Sequence, residues 1–214
     1  MSVTEVFDNN KIHLIGLVAN NPKFSHEVLT KEKIYEFDIE CHRASDYVDV
    51  LRCLIPEVFI GNVIKGKTIE IVGEIRTRNV ASEDNSKNHL EIRVFVMDEP
   101  VICEDAKHSN KVYLKGFVCK EPVYRKTPLG REIADLLLAV NRPYGKSDYI
   151  PCICWGRNAL IAQNYDISTK IEIKGRLQSR VYHKRTKDDV CEARVAYEVS
   201  ASSIMKFEVK MDEE

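Results

Sequence analysis

The chain repeats itself at an offset of about 100 residues. Asn10-Lys11-Ile12-His13-Leu14-Ile15-Gly16-Leu17-Val18 recurs as Asn110-Lys111-Val112-Tyr113-Leu114-Lys115-Gly116-Phe117-Val118, and Pro22 recurs as Pro122. Further on the offset is 102: Lys67-Thr68-Ile69-Glu70-Ile71-Val72-Gly73-Glu74-Ile75 falls on Thr169-Lys170-Ile171-Glu172-Ile173-Lys174-Gly175-Arg176-Leu177, and Arg78 falls on Arg180. A solenoid repeats every 20 to 50 residues or so, whereas a unit of about 100 residues is the size of a small domain. The chain is therefore constrained to two copies of one fold.

Each copy alternates apolar and polar residues with the strand period of two. The pattern predicts strands near 10–20, 34–42, 47–54, 67–77 and 90–97, then near 110–120, 132–141, 149–156, 169–180 and 190–200. Between the third and fourth strands of each copy the period changes to that of a helix. In the first copy Val58, Phe59, Val63 and Ile64 carry it after Pro56; in the second it runs from Asn158, a suitable N-cap, to Tyr165. Gly16, Gly73, Gly116 and Gly175 interrupt strand patterns, as bulges and sharp bends do. Five strands with one helix after the third is the layout of an OB-fold barrel. The expected fold class is all-β, two tandem OB-fold barrels: residues 1–98 and 110–205, a linker at 99–109 and a short acidic tail at 206–214.

Several function classes are excluded by what the chain lacks. No apolar run approaches the roughly 20 residues of a membrane helix, and the first residues have neither a basic start nor an apolar signal core. The expectation is a cytoplasmic protein with no membrane partner. The seven cysteines contain no Cys-x-x-Cys pair, and Cys152 and Cys154 share a strand face with no further ligand nearby. They read as reduced thiols packed as small hydrophobes, so no metal and no cofactor is expected. No phosphate-binding loop, nucleophile elbow or metalloprotease motif is present, and Asp188-Asp189 and Glu83-Asp84 sit in hairpin loops without partners. The chain reads as a non-enzyme.

The net charge of −1 conceals an asymmetry. Residues 1–104 carry 12 Lys and Arg against 18 Asp and Glu; residues 105–214 carry 20 against 15. A polyanion prefers the second half. There, from Arg142 to Arg185, aromatic rings and guanidinium groups interleave along strands: Arg142-Pro143-Tyr144, Tyr149 to Arg157, Ile171 to Arg180, and Tyr182-His183-Lys184-Arg185. Flat rings that stack on bases, beside cations that follow phosphates, suit a single nucleic-acid strand.

The run PVYRKTPLGREIADLLLAVNRPYGKSDYIPCICWGRNALIAQNY followed by IEIKGRLQSRVY resembles the bacterial single-stranded DNA-binding protein family over about residues 110–204. The resemblance rests on the Pro-x-x-Arg turn, the LAVNRP strand end, the aromatic-x5-aromatic-Gly strand and the GRLQ-x-R strand. It implies base stacking on Tyr149, Trp155 and Tyr182, with Tyr144 near a fourth stacking position. Arg142, Lys146, Arg157, Arg176, Arg180, Lys184 and Arg185 are the phosphate-contact candidates around them. It also implies sequence-independent binding of single-stranded DNA in replication, recombination or repair. Four barrels are expected in the working assembly, hence a homodimer, with replication or repair proteins as partners. Stacking and phosphate contacts do not separate DNA from RNA. Family members commonly end in an acidic tail with an apolar tip; Lys210-Met211-Asp212-Glu213-Glu214 lacks the tip, which favours an accessory or mobile-element role.

The first copy resembles the family only through the duplication. Aligned on the repeat, Tyr47 takes the place of Tyr149, Cys53 that of Trp155 and Val80 that of Tyr182, and the loop after Val80 is acidic. The expectation is an assembly domain with a residual nucleic-acid track along Arg43, Tyr47, Arg52, Arg76 and Arg78. The alternative for the whole chain is a protein-interaction adaptor, primosome-like or regulatory, with weak nucleic-acid binding.

Overall fold

A computed structural model describes residues 9–81, 88–185 and 191–207. The first copy consists of β1 (Asn10–Val18), β2 (Lys23–Glu27), β3 (Lys33–His42), β4 (Val48–Pro56), β5 (Thr68–Ala81), β6 (Asn88–Val96) and the two-residue β7 (Val101–Ile102). The second consists of β8 (Ser109–Val118), β9 (Val123–Lys126), β10 (Glu132–Asn141), β11 (Ser147–Trp155), α1 (Arg157–Ala162), β12 (Lys170–Arg185) and β13 (Cys191–Lys206). The five strands expected in each copy are present. β12 and β13 extend beyond the expected ends at 180 and 200.

Three local expectations are corrected. The short strands β2 and β9 are added, each pairing on the outer edge of β3 or β10. They bury nothing fully, so they leave no alternating apolar signal. The helix after Pro56 is a 3-10 turn, Glu57–Asn62, with no buried residue. The second helix begins one residue earlier than expected, capped by Gly156 rather than Asn158. Gly156 has φ +53° and ψ −123°, a conformation that a side chain strains, and the Asn158 amide instead donates to the Ser202 carbonyl at 3.1 Å.

Each barrel closes on itself. In the first, β3 pairs antiparallel with β4, β4 parallel with β6, β6 antiparallel with β5, β5 with β1, and β1 returns to β3. β8, β10, β11, β13 and β12 repeat this order. Closure requires β1 to change partners: it follows β5 as far as Leu17 and meets β3 at Leu17 and Val18. Gly16 stands at this crossing. A Cβ there would lie 2.5 Å from the Glu40 carbonyl oxygen, and one on its repeat Gly116 would strike the Ala139 carbonyl. These glycines are close-approach positions at the barrel seam. The cores are aliphatic, with Leu14, Ile39, Leu51 and Ile71 in one and Leu114, Leu138, Ile150 and Ile173 in the other.

Packing divides the chain differently from its linear order. Among the described residues, one unit comprises 12–81, 88–111, 177–185 and 191–198, and the other comprises 9–11, 112–176 and 199–207. The distal part of the β12–β13 hairpin thus packs with the first barrel.

One polar device occurs in both copies. Asp49 and Asp148, at the second position of β4 and β11, are fully buried. Arg43 donates to Asp49 from Nε at 2.7 Å and Nη2 at 2.5 Å. Arg142 donates to Asp148 from Nε at 2.5 Å and again from Nη2. The Arg43 N–H reaches the Tyr47 carbonyl at 2.8 Å and the Arg142 N–H reaches that of Lys146 at 2.7 Å, closing the two turns. A carboxylate taken out of water needs such charge-assisted partners.

Asp148→Ala is expected to cost about 3–5 kcal/mol, because it strands the Arg142 guanidinium against the barrel. Arg125→Ala, which breaks the exposed pair with Asp135, is expected to cost less than about 1 kcal/mol. Gly116→Ala is expected to cost about 1–3 kcal/mol through overpacking at the seam. Gly61→Ala, where nothing lies within 4 Å of an added Cβ, is expected to stay within about 0.5 kcal/mol. Urea unfolding of the four variants checks this order.

Candidate nucleic-acid interface

β11 displays the sequence-derived platform. Asp148, Ile150, Cys152 and Cys154 point into the barrel and are buried, which turns Tyr149, Pro151 and Trp155 outward; Ile153, which alternates with them, is nevertheless buried. Tyr149 is 47% and Trp155 39% exposed, large fractions for rings on the middle of a sheet. Six residues of strand separate them by about 20 Å. In register beside them on β10 lie Ala139, Leu137, Asp135 and Ile133, and beyond these on β9 lie Val123 and Arg125. The face between the two rings is therefore mostly apolar or small. Bases can lie across it without meeting buried charge.

The cations flank this face. Lys146 is exposed where the turn joins β11, and Arg157 is exposed directly after Gly156. Arg176 is half-buried on β12. Arg142 is corrected: its guanidinium is committed to Asp148, so it shapes the turn that carries Tyr144. Tyr144 lies in the 3-10 turn Pro143–Gly145, and its side chain is outside the described residues, as are those of Lys184 and Arg185. Arg125 is an addition. It shares the outer face with Trp155, one strand beyond Ile133, and holds Asp135 at 2.6 Å with both side chains substantially exposed. The Pro122-x-x-Arg125 turn carried this residue in the sequence. Its strand is too short and too exposed to be read there.

Tyr182 and Arg180 belong to the other unit, with Arg43 and Tyr47. Tyr182 is half-buried, with the Arg180 guanidinium 5.9 Å from its ring centre. Of the three rings expected on the second copy, Tyr149 and Trp155 lie in one packing unit and Tyr182 lies in the other.

The first barrel shows what the same frame becomes without the platform. Shared packing marks the equivalent positions: Gly16 abuts Glu40 as Gly116 abuts Ala139, and Cys53 pairs with Val94 as Cys152 pairs with Val199. Tyr149 therefore corresponds to Val50, not Tyr47, and Trp155 corresponds to Pro56, not Cys53. Beside Val50, Arg52 and Leu54 the neighbouring strand presents Glu40, Asp38 and Glu36. Three carboxylates stand where the second barrel has Ala139, Leu137 and Asp135. The residual cations are matched as well: Arg76 pairs with Glu74, and Arg78 with Glu91 at 2.8 Å. The acidic loop after Val80 is outside the described residues beyond Ala81.

Of the cysteines, Cys41, Cys53, Cys152 and Cys154 are buried, whereas Cys103 and Cys119 are half-exposed and Cys191 is exposed. The small-hydrophobe reading holds for the first four. Burial pushes the Cys41 and Cys154 thiols up to about 12, out of reach of thiolate chemistry at neutral pH.

Comparison with known proteins follows this division of the chain. Residues 109–207 match the model of the Single-strand binding protein family. Single-stranded DNA-binding protein 1 of Staphylococcus aureus (strain COL) is 37% identical over 83 residues, which are 36% of this chain and 50% of that protein. Single-stranded DNA-binding protein A of Bacillus subtilis (strain 168) is 33% identical over 108 residues, 47% of this chain and 60% of that protein. The chain thus spans about half the length of the first of these relatives. The wild-type single-stranded DNA binding protein from Thermus aquaticus shares the fold over 96% of both chains, with a TM-score of 0.72 at 18% identity. Across residues 109–207, less than half of its length, the chain is similar to the Single-strand binding protein family.

Proposed function

We propose that this chain binds single-stranded DNA without sequence preference, through base stacking on Tyr149 and Trp155 and phosphate contacts from Lys146, Arg157 and Arg125. The observation that carries the reading is the pair of rings held outward on one face of β11, about 20 Å apart, over an apolar floor. The names of the matched relatives, single-stranded DNA-binding proteins of bacteria, support it. The role is non-catalytic: the protein keeps strands open in replication, recombination or repair, in the cytoplasm, as a homodimer presenting four barrels. The row Glu36, Asp38 and Glu40 favours a second role for the first barrel, the protein contacts of an adaptor. Those carboxylates repel phosphate and suit a basic partner.

The test uses the single tryptophan. Titration with oligo(dT) is expected to quench Trp155 fluorescence. The affinity is expected to fall with salt, by a slope of about −0.7 for each phosphate neutralised on a single strand. Trp155→Ala, followed by anisotropy of labelled oligo(dT), is expected to lose about 1–3 kcal/mol of binding. Absence of quenching, with no change in anisotropy, overturns the DNA reading and leaves the adaptor.

A further inference from the structure

The segment that joins the two copies is fastened to the first barrel at several points. Asn62 Nδ2 donates to the Pro100 carbonyl at 2.8 Å. Val101 and Ile102 form β7, which pairs with Glu70 and Ile69 of β5. The Cys103 N–H extends that ladder to the Thr68 carbonyl at 2.9 Å, and Glu104 meets Lys67 at 3.2 Å. Glu104 and Asp105 then turn the chain, with Asp105 at φ +59°. Beyond the turn the chain is held again, this time by β3: the His42 N–H donates to His108 Nδ1 at 3.0 Å, across 66 residues of sequence. β1 lies between β5 and β3 in this barrel. Residues 103–108 are thus a strap that ties together the strands on either side of the seam.

The hold on β3 depends on the charge state of one ring. A backbone N–H can only donate, so His108 Nδ1 must keep its lone pair, and the ring hydrogen sits on Nε2. Protonation puts a second N–H on Nδ1, facing the donor it had accepted, and the bond is lost. The surroundings push the same way. His108 is half-buried, and its ring meets that of His42 edge to face, with centres 4.7 Å apart. Burial first, and then the His42 ring, hold the His108 imidazole below its ordinary 6.5, while Glu40, also on β3, opposes them. The next cation after His42, Arg43, is committed to Asp49. On the strap itself Glu104 faces Lys67, and Asp105 and Lys107 are exposed.

We infer that His108 is a proton-operated latch: with Nδ1 bare it fastens the strap to β3, and with Nδ1 protonated it lets residues 104–108 go. Well above pH 6.5 the ring is neutral whether docked or not, and the strap is held in full. Below 6.5 the undocked ring takes up its proton first, so the hold weakens as pH falls until the docked ring is protonated as well. The ladder of β7 is made of backbone groups and stays in place. Acid therefore lengthens the free chain ahead of β8 without unfolding the first barrel. The inference stands apart from the proposed single-strand binding.

The experiment is an NMR titration of the full chain from about pH 8 to about pH 5, across the imidazole range. His108 is expected to show the Nε2–H tautomer at the alkaline end and a midpoint below 6.5. Protection of the His42 amide, corrected for the intrinsic pH dependence of exchange, is expected to fall by about 2- to 13-fold through that midpoint, the worth of one hydrogen bond. Protection of the Cys103 amide is expected to persist. His42→Ala keeps the backbone donor and removes the neighbouring ring, so it is expected to raise the His108 midpoint; the amide signal at position 42 then moves with His108 alone. His108→Asn sets an amide oxygen where Nδ1 stands and takes up no proton in this range. It is expected to keep the His42 amide protected and to abolish the pH response, whereas His108→Ala loses the protection at every pH. A residue that merely packs there would not separate Asn from Ala in this way. A His108 midpoint at or above 6.5, an amide at position 42 of His42→Ala that does not follow His108, or a His108→Asn chain whose protection falls as in wild type each overturns the latch.

Discussion

A sheet that closes on itself must let one strand leave one neighbour and join another, and at that crossing the backbones come closer than a Cβ permits. Gly16 and Gly116 meet this constraint in the two barrels, against the carbonyls of Glu40 and Ala139. Closure then sets which face of every strand points inward. Alternation along β11 sends Ile150, Cys152 and Cys154 to the core, and the same alternation leaves Tyr149 and Trp155 outside. The exposed rings are thus a consequence of barrel closure, since a one-residue slip in register would bury them.

The two copies keep this frame and differ in what they hang on it. Both retain the seam glycine, the parallel pairing that completes the barrel, and the buried Asp–Arg pair that closes the turn before the third strand. The outer face of that strand has diverged. Leu137 and Ala139 give the second barrel an apolar floor, whereas Asp38 and Glu40 give the first an electrostatic barrier to phosphate. Frame residues are held by packing, and changes there cost several kcal/mol. Outer-face residues are free of that constraint, so duplication allows one face to be retuned while the fold persists.

Much of this was legible in the sequence. Long strands such as β1 and β10 announce themselves because one face is apolar throughout. β2 and β9 do not, since edge strands of five and four residues bury no full face. The capping of α1 by Gly156 was hidden by the helical period beginning at Asn158. Arg142 and Arg43 read as exposed cations because their carboxylate partners lie six residues away, on the next strand, and only burial of Asp49 and Asp148 turns those pairs into structural bonds.

The repeat, the barrel class and the charge asymmetry follow from residue order alone, because each is a local or periodic property, whereas the outward side of Tyr149 and Trp155 is fixed by barrel closure. Which residues share a packing unit does not follow from residue order either. Ser179 finds Asp49 about 130 residues away, and that contact assigns Arg180 and Tyr182 to the first barrel although they belong to the second copy in sequence. Hydrogen bonds between segments so distant leave no periodic trace in the chain. Only the tertiary structure, where buried polar groups must find their partners, decided this allocation.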